Sequence, residues 1–253
     1  MAATETLRHL RRTVAEIEAT APTLAGEQAL NLGVAALDET LGGGLAFGAL
    51  HELAPSAPVH AGAAAGFALA LAARMPGRPV LWIQSEFTQA ELGVPYGCGL
   101  ALFGLSLDRL VVLTVAHASD ALWAMEEALH SRAAVIGEVP DDRALDEGPA
   151  TRRLSLAARE GGLGLILRPH PSPAASAAMT RWQIAAAPGL RDPLGGLGRT
   201  AFALSLTKNR RGPCGRWLIA WDHHEHMFLP ALSVGVAEEA CERPARAPLV
   251  HAG

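Results

Sequence analysis

Lysine is almost missing from this sequence of 253 residues: Lys208 is the only one, against twenty arginines. Any chemistry that needs a lysine therefore has a single position to use. Aromatic residues make up 5% of the chain and charged residues only 18%. Cysteine is limited to Cys98, Cys214 and Cys241, widely spaced and without a C-x-x-C pair. That excludes a zinc ribbon and a disulfide framework and points to a reducing compartment. No Gly-Lys-Ser or Gly-Lys-Thr triplet occurs anywhere, and neither a nucleophile elbow nor a paired-carboxylate motif is present. The longest run free of acidic and basic residues other than histidine, Leu53 to Ala73, contains Pro55, Pro58, His60, Gly62 and Gly66 and is rich in alanine. It reads as a buried helix rather than a bilayer span. Met1 to Arg12 is polar, with Glu5, Arg8, Arg11 and Arg12, and has no apolar signal-peptide core. A soluble, cytoplasmic protein is expected.

Half of the chain is hydrophobic and the formal net charge is -4. The first value excludes an intrinsically disordered chain and the second a general DNA-coating protein, although a local basic patch remains open. A chain of this length buries enough surface to fold without a metal or disulfide staple, and it suits one α/β domain with small appendages.

Leu7, Leu10, Val14 and Ile17 recur at helical spacing, with arginines and glutamates opposite, and Pro22 ends that helix. Gly42-Gly43-Gly44 marks a turn that needs glycine. Ala49 to Leu53 reads as a strand and Ala61 to Met75 as a helix. Pro79 to Ser85, Arg109 to Val115, Ala133 to Val139 and Leu163 to Arg168 are near-continuous apolar runs. Helical patterns lie at Ala118 to Ser131 and Pro149 to Glu160. Such runs between helices predict a parallel sheet covered on both faces. After a Pro/Ser/Ala loop from Pro169 to Ala178, Arg181 to Ala187, Phe202 to Thr207 and Arg216 to Asp222 follow with Gly/Pro turns at Gly195-Gly196 and Gly212-Pro213. That spacing predicts antiparallel pairing. The expected fold is α/β, with a central mostly parallel sheet, antiparallel strands at the C-terminal end and an N-terminal helix. Its divisions are an N-terminal helix and linker over residues 1–29, a core over 30–236 and a C-terminal tail over 237–253.

Several stretches together resemble the RecA-type core, over about Leu30 to Phe228. Leu32-Gly33-Val34-Ala35-Ala36-Leu37-Asp38, then Leu41 to Leu45 and Gly48, resembles the approach to the RecA nucleotide loop. Trp82-Ile83-Gln84-Ser85-Glu86 resembles the strand that ends in the RecA catalytic glutamate. Thr207-Lys208-Asn209-Arg210 resembles the segment that reaches a neighbouring protomer's ATP. Within this superfamily, Ala150 to Gly162 (ATRRLSLAAREGG) and the overall size resemble ImuA, a RecA-like accessory of the bacterial mutagenesis cassette, also called SulA-like.

The departures from the RecA pattern concern the nucleotide. A phosphate loop needs G-x-x-x-x-G-K-[ST], in which backbone N–H groups cradle the phosphates, lysine reaches the outer oxygens and the hydroxyl holds Mg²⁺. At that place the chain runs Ala54-Pro55-Ser56-Ala57-Pro58-Val59-His60-Ala61-Gly62-Ala63. Lysine is missing, and Pro55 and Pro58 remove two N–H donors. Glu138 ends the next motif, where the resemblance implies a metal-holding aspartate near Gly137. Ile166-Leu167-Arg168-Pro169 replaces a polar amide that would sense the γ-phosphate. Glu86 survives, without phosphate or metal to act on. The nucleotide site, with Glu86 and Glu138 as vestiges, is expected to be non-catalytic, a pseudo-ATPase without cofactor or metal.

Other residues carry two readings each. Lys208, Arg210 and Arg211 form the densest positive charge: either a solvated turn or a contact for phosphate or an acidic partner. Arg168 lies at the start of a loop that the resemblance equates with a DNA-contacting loop, although the loop is too poor in donors for sequence-specific grip. Arg152 and Arg153 oppose the dipole of the helix they open, so acidic neighbours or a partner must hold them. Asp222-His223-His224-Glu225-His226 invites a metal reading. On a strand, however, only alternate residues such as His224 and His226 converge, and two ligands do not make a site, so a histidine-rich turn is the expected reading.

The resemblance implies a non-catalytic adaptor of SOS-induced translesion mutagenesis. It would bind the Y-family polymerase-like protein ImuB, with RecA and the error-prone replicative-type polymerase as further partners. It would contact DNA weakly or indirectly and associate with the nucleoid after damage. The N-terminal helix is expected either to dock on a partner chain, self-association included, or to fold back onto its own core. The alternatives are a DNA-dependent ATPase or recombination mediator with a degenerate site, and a SulA-like division inhibitor.

Overall fold

The computed structural model of the chain describes Arg12 and residues 29–75, 77–139, 145, 149–189 and 198–231. The expected N-terminal helix of Leu7, Leu10, Val14 and Ile17, the Gly195-Gly196 turn and the tail from residue 237 lie outside the described residues, Arg12 excepted.

Two short strands, β1 (Ala29–Leu30) and β2 (Leu45–Ala46), pair antiparallel. Between them helix α1 (Ala35–Thr40) is anchored by Asp38, whose two carboxylate oxygens accept the Leu32 and Gly33 N–H groups at 2.7 and 2.9 Å. The glycine turn that follows is obligatory at Gly44. Its φ is +129°, and a β-carbon there would collide with the Leu30 carbonyl.

The remaining strands are β3 (Ala49–Pro55), β4 (Val80–Ser85), β5 (Leu110–Val115), β6 (Ala134–Glu138), β7 (Leu163–Leu167), β8 (Thr180–Ala187), β9 (Thr200–Asn209), β10 (Gly215–Asp222) and β11 (Met227–Pro230). They form one sheet in the order β11-β10-β9-β8-β3-β7-β6-β4-β5. Pairing is parallel from β8 through β3, β7, β6 and β4 to β5, and antiparallel from β8 to β11. The fold is therefore mixed α/β with a mostly parallel centre and an antiparallel C-terminal end, compatible with a RecA-like core.

The apolar runs follow from burial on both faces. On β4, Val80 and Trp82 pack towards helix α2 (Ala61–Ala73), while Leu81 and Ile83 pack towards α5 (Ala118–His130) and α6 (Pro149–Ala157). The small side chains of α2 bring it close to the sheet. Its Phe67 meets Trp182, Phe202 and Phe228 at ring-centroid distances of 6.1, 5.8 and 5.5 Å. β5 departs from expectation. It is the sheet's edge strand, and Val112 is 42% exposed rather than covered on both faces.

Two further helices, α3 (Glu86–Leu92) and α4 (Gly97–Leu102), fill the stretch between β4 and β5. Ser85 caps α3, its Oγ accepting the Thr88 N–H at 3.1 Å. The histidine-rich stretch lies, as expected, in a turn between β10 and β11. Asp222 Oδ1 accepts the His224 and Glu225 N–H groups at 2.9 and 3.2 Å and so closes that turn. No helix of the described residues is long and apolar enough to cross a membrane.

Candidate functional site

In a parallel sheet the carboxyl ends of the strands open onto the loops that bind ligands. Here the ends of β3, β6 and β7, the start of α2 and the exposed flank of α3 enclose a cavity of about 240 Å³. Its walls are mostly carbon: Pro55, Ala61, Ala64, Ala65, Phe87, Leu92, Val139, Leu167 and Pro169. Thr88, Glu91, Glu138 and Arg168 supply the polar positions.

The loop leading into α2 is where a phosphate cradle would lie, and its N–H groups are largely spent. Pro55 and Pro58 have none. Ser56 donates to the Ile184 carbonyl at 2.8 Å and His60 to the Ala57 carbonyl at 2.9 Å. Residues 58–60 form a 3₁₀ turn, and the His60 ring accepts the Ala186 N–H at 3.2 Å, tying the loop to β8. Of the six residues from Pro55 to His60, four thus offer no free backbone donor: Pro55, Ser56, Pro58 and His60.

Two carboxyl groups, Glu91 and Glu138, and one guanidinium, Arg168, line the cavity, and no lysine does. Glu138 is only 9% exposed and its Oε2 has no hydrogen-bond partner. Burial pushes its carboxyl up to about 7. The approach of the Trp82 indole N–H as a hydrogen-bond donor pulls the other way and is outweighed by burial. Gln84, its register partner on β4, is fully buried with neither amide atom bonded. Glu86, the other residue expected to be a vestige, is exposed in the first turn of α3, where a carboxylate suits the helix dipole.

Arg168 is a correction. Expected to meet DNA or a partner, it has a buried guanidinium, with Nε 3.3 Å from Glu52 Oε2. Strand alternation explains this. Leu53 and Leu167 face α2, so Glu52 and Arg168 turn to the opposite face. Glu52, fully buried on β3, also accepts from Arg181 Nε at 2.8 Å and from the Ser176 hydroxyl. Arg181 donates further to the carbonyls of Ser172 and Ala174 at 2.6 and 2.8 Å. Three basic side chains, Arg181, Lys208 and Arg210, thus hold the loop after β7. Lys208 Nζ and Arg210 Nη2 donate to the Ser176 carbonyl at 2.6 and 3.3 Å, beside Arg168 and Arg181. Partial burial and the neighbouring charges of Arg210 and Arg181 lower the Lys208 ammonium from its ordinary value.

Lys208 is accordingly a strut more than an open contact. Arg210, Arg211 and Arg216 are the exposed cations of that hairpin. Asn209 shapes the turn, donating to Thr40 and Pro213 carbonyls at 3.0 Å each and accepting the Arg211 N–H. Arg152 is exposed, whereas Arg153 pairs with Glu126, its Nε donating at 3.2 Å, so an acidic neighbour holds it. In the histidine turn the rings diverge. His223 bonds to Thr200 Oγ1 and the Leu102 carbonyl, while His226, at φ 49°, lies against Gly104.

Glu52, Gln84 and Arg181 are absent from the sequence-based candidates. Charged and amide side chains inside the apolar strands ALHELAP and VLWIQS were the available signal. The chain matches no family model and no curated protein.

Proposed function

We propose that this protein is a non-catalytic, RecA-like adaptor of the ImuA kind, serving translesion mutagenesis in the SOS response by binding partners rather than by turning over ATP. One observation carries the proposal. The cavity where the resemblance expects the nucleotide holds a buried glutamate with one unbonded oxygen, and no lysine, beside a loop with few free N–H donors. Bringing a polyphosphate next to Glu138 would confront like charges in a medium of low dielectric.

The partners of this reading are ImuB, and then RecA and the error-prone polymerase. DNA contact through Arg210, Arg211 and Arg216 would be auxiliary, and the place of action the cytoplasm and, after damage, the nucleoid. Affinity purification of the tagged protein from DNA-damaged cells tests it. Recovery of the polymerase-like partner together with absent ATPase activity is expected. Recovery of the tubulin-like division protein instead, or ATP turnover abolished by Glu86→Ala, would overturn it.

A further inference from the structure

Unmet hydrogen-bonding atoms gather on Glu138, which lines the cavity, and on its strand neighbours Trp82 and Gln84, which lie behind the lining. Trp82 and Gln84 on β4 and Glu138 on β6 share the face turned towards α2. Both amide atoms of Gln84, Oε2 of Glu138 and Nε1 of Trp82 have no partner. Native proteins rarely leave so many buried polar atoms unpaired in one place, because each forfeits its hydration without compensation.

The size, the wall and the charge define what would satisfy them. At about 240 Å³ the cavity is smaller than the roughly 300–1,000 Å³ that drug-sized ligands occupy; it suits one long side chain. Its walls of alanine, leucine and proline fit an aliphatic stem. Its acids are Glu138 and Glu91, while the guanidinium of Arg168 is drawn to Glu52 on the far face. At the mouth, Phe87 and Leu92 are 65% and 64% exposed, an apolar rim of the kind that marks protein contacts.

We infer that this cavity receives a lysine or arginine side chain of a partner protein, flanked in that partner by apolar residues. The stem lies against Ala64 and Leu167, the charged head meets the Glu138 carboxylate, and the flanks cover Phe87 and Leu92. The second oxygen of an ionised Glu138 is then free to accept the Trp82 N–H. The inference rests on the adaptor reading in one respect, that the occupant is a protein.

The test follows the Trp82 indole N–H in ¹⁵N NMR spectra of the full chain, assigned with Trp82→Phe. The probes are the capped peptides acetyl-Ala-Leu-Lys-Leu-Ala-amide and its arginine and norleucine counterparts, and n-butylamine. Saturable shifts with the lysine or arginine peptide at up to ~10 mM are expected. Binding should be weaker by roughly tenfold or more for the norleucine peptide, for butylamine and for the Glu138→Gln protein. Glu138→Gln keeps the side-chain volume and removes a buried charge, so it should remain folded. The inference fails if neither cationic peptide shifts Trp82, if Glu138→Gln binds equally well, or if butylamine matches the peptides, which would mark a site for free amines. Such a failure leaves the adaptor reading standing, because these peptides report neither ATP turnover nor the polymerase-like partner.

Discussion

Replacing Glu138 with glutamine should stabilise the protein above neutral pH and leave its stability unchanged in acid. Burial raises the carboxyl from 4.5 to about 7 in the folded chain. Between those values the folded state holds a proton that the unfolded state has released, so Glu138's contribution falls as pH rises through the interval. At 1.36 kcal/mol per unit, the whole loss is on the order of 3 kcal/mol, complete once pH exceeds the folded value. Glutamine has nearly the same shape and never ionises. Urea denaturation of both proteins at several values from about pH 4 to pH 8 measures the difference. The variant should gain about 2–3 kcal/mol near pH 8 and nothing near pH 4. Buried His51, lowered to about 4 by desolvation, imposes the opposite slope between about 4 and 6.5. Both proteins share that slope, so it cancels. A difference that does not vary with pH, or a variant less stable near pH 8, would refute the reasoning.

Phe67→Ala removes the ring that joins Trp182, Phe202 and Phe228, and should cost about 3–5 kcal/mol in the same denaturation assay. Glu52→Ala leaves the Arg168 and Arg181 guanidiniums without their shared carboxylate; a loss of about 3–5 kcal/mol is expected, with faster proteolysis in residues 169–178. The triple change Arg210→Ala, Arg211→Ala, Arg216→Ala should alter stability by no more than about 1 kcal/mol per residue, yet weaken binding to single-stranded DNA in a salt-dependent way. Unchanged DNA binding would assign the hairpin to solvent.

The sheet is legible in the sequence because strands buried on both faces are continuous apolar runs: VLWIQS, AVIGE and LGLIL stand between helical patterns. The edge position of β5 is not legible. LVVLTV has the composition of a central strand, and only the strand order exposes it. Strand β11 is hidden for another reason: four residues ending in proline leave no room for a period. The lack of a phosphate-loop motif can be read directly, since a missing lysine and two prolines are local facts. The burial of Arg168 cannot. It depends on Glu52, over a hundred positions away, and on which face of the sheet each residue takes. The cavity is equally non-local, assembled from strand ends and two helices, one of which, α3, is too short to show a clear pattern.

The proposed absence of nucleotide chemistry is tested most directly by titrating Mg²⁺-ATP into the purified protein in a calorimeter while phosphate release is followed in the same sample. With two prolines in the loop, the Ser56 and His60 N–H groups engaged elsewhere and Glu138 in the cavity, neither saturable heat up to ~1 mM nucleotide nor phosphate above background is expected. Saturable binding with hydrolysis that Glu86→Ala abolishes would contradict it.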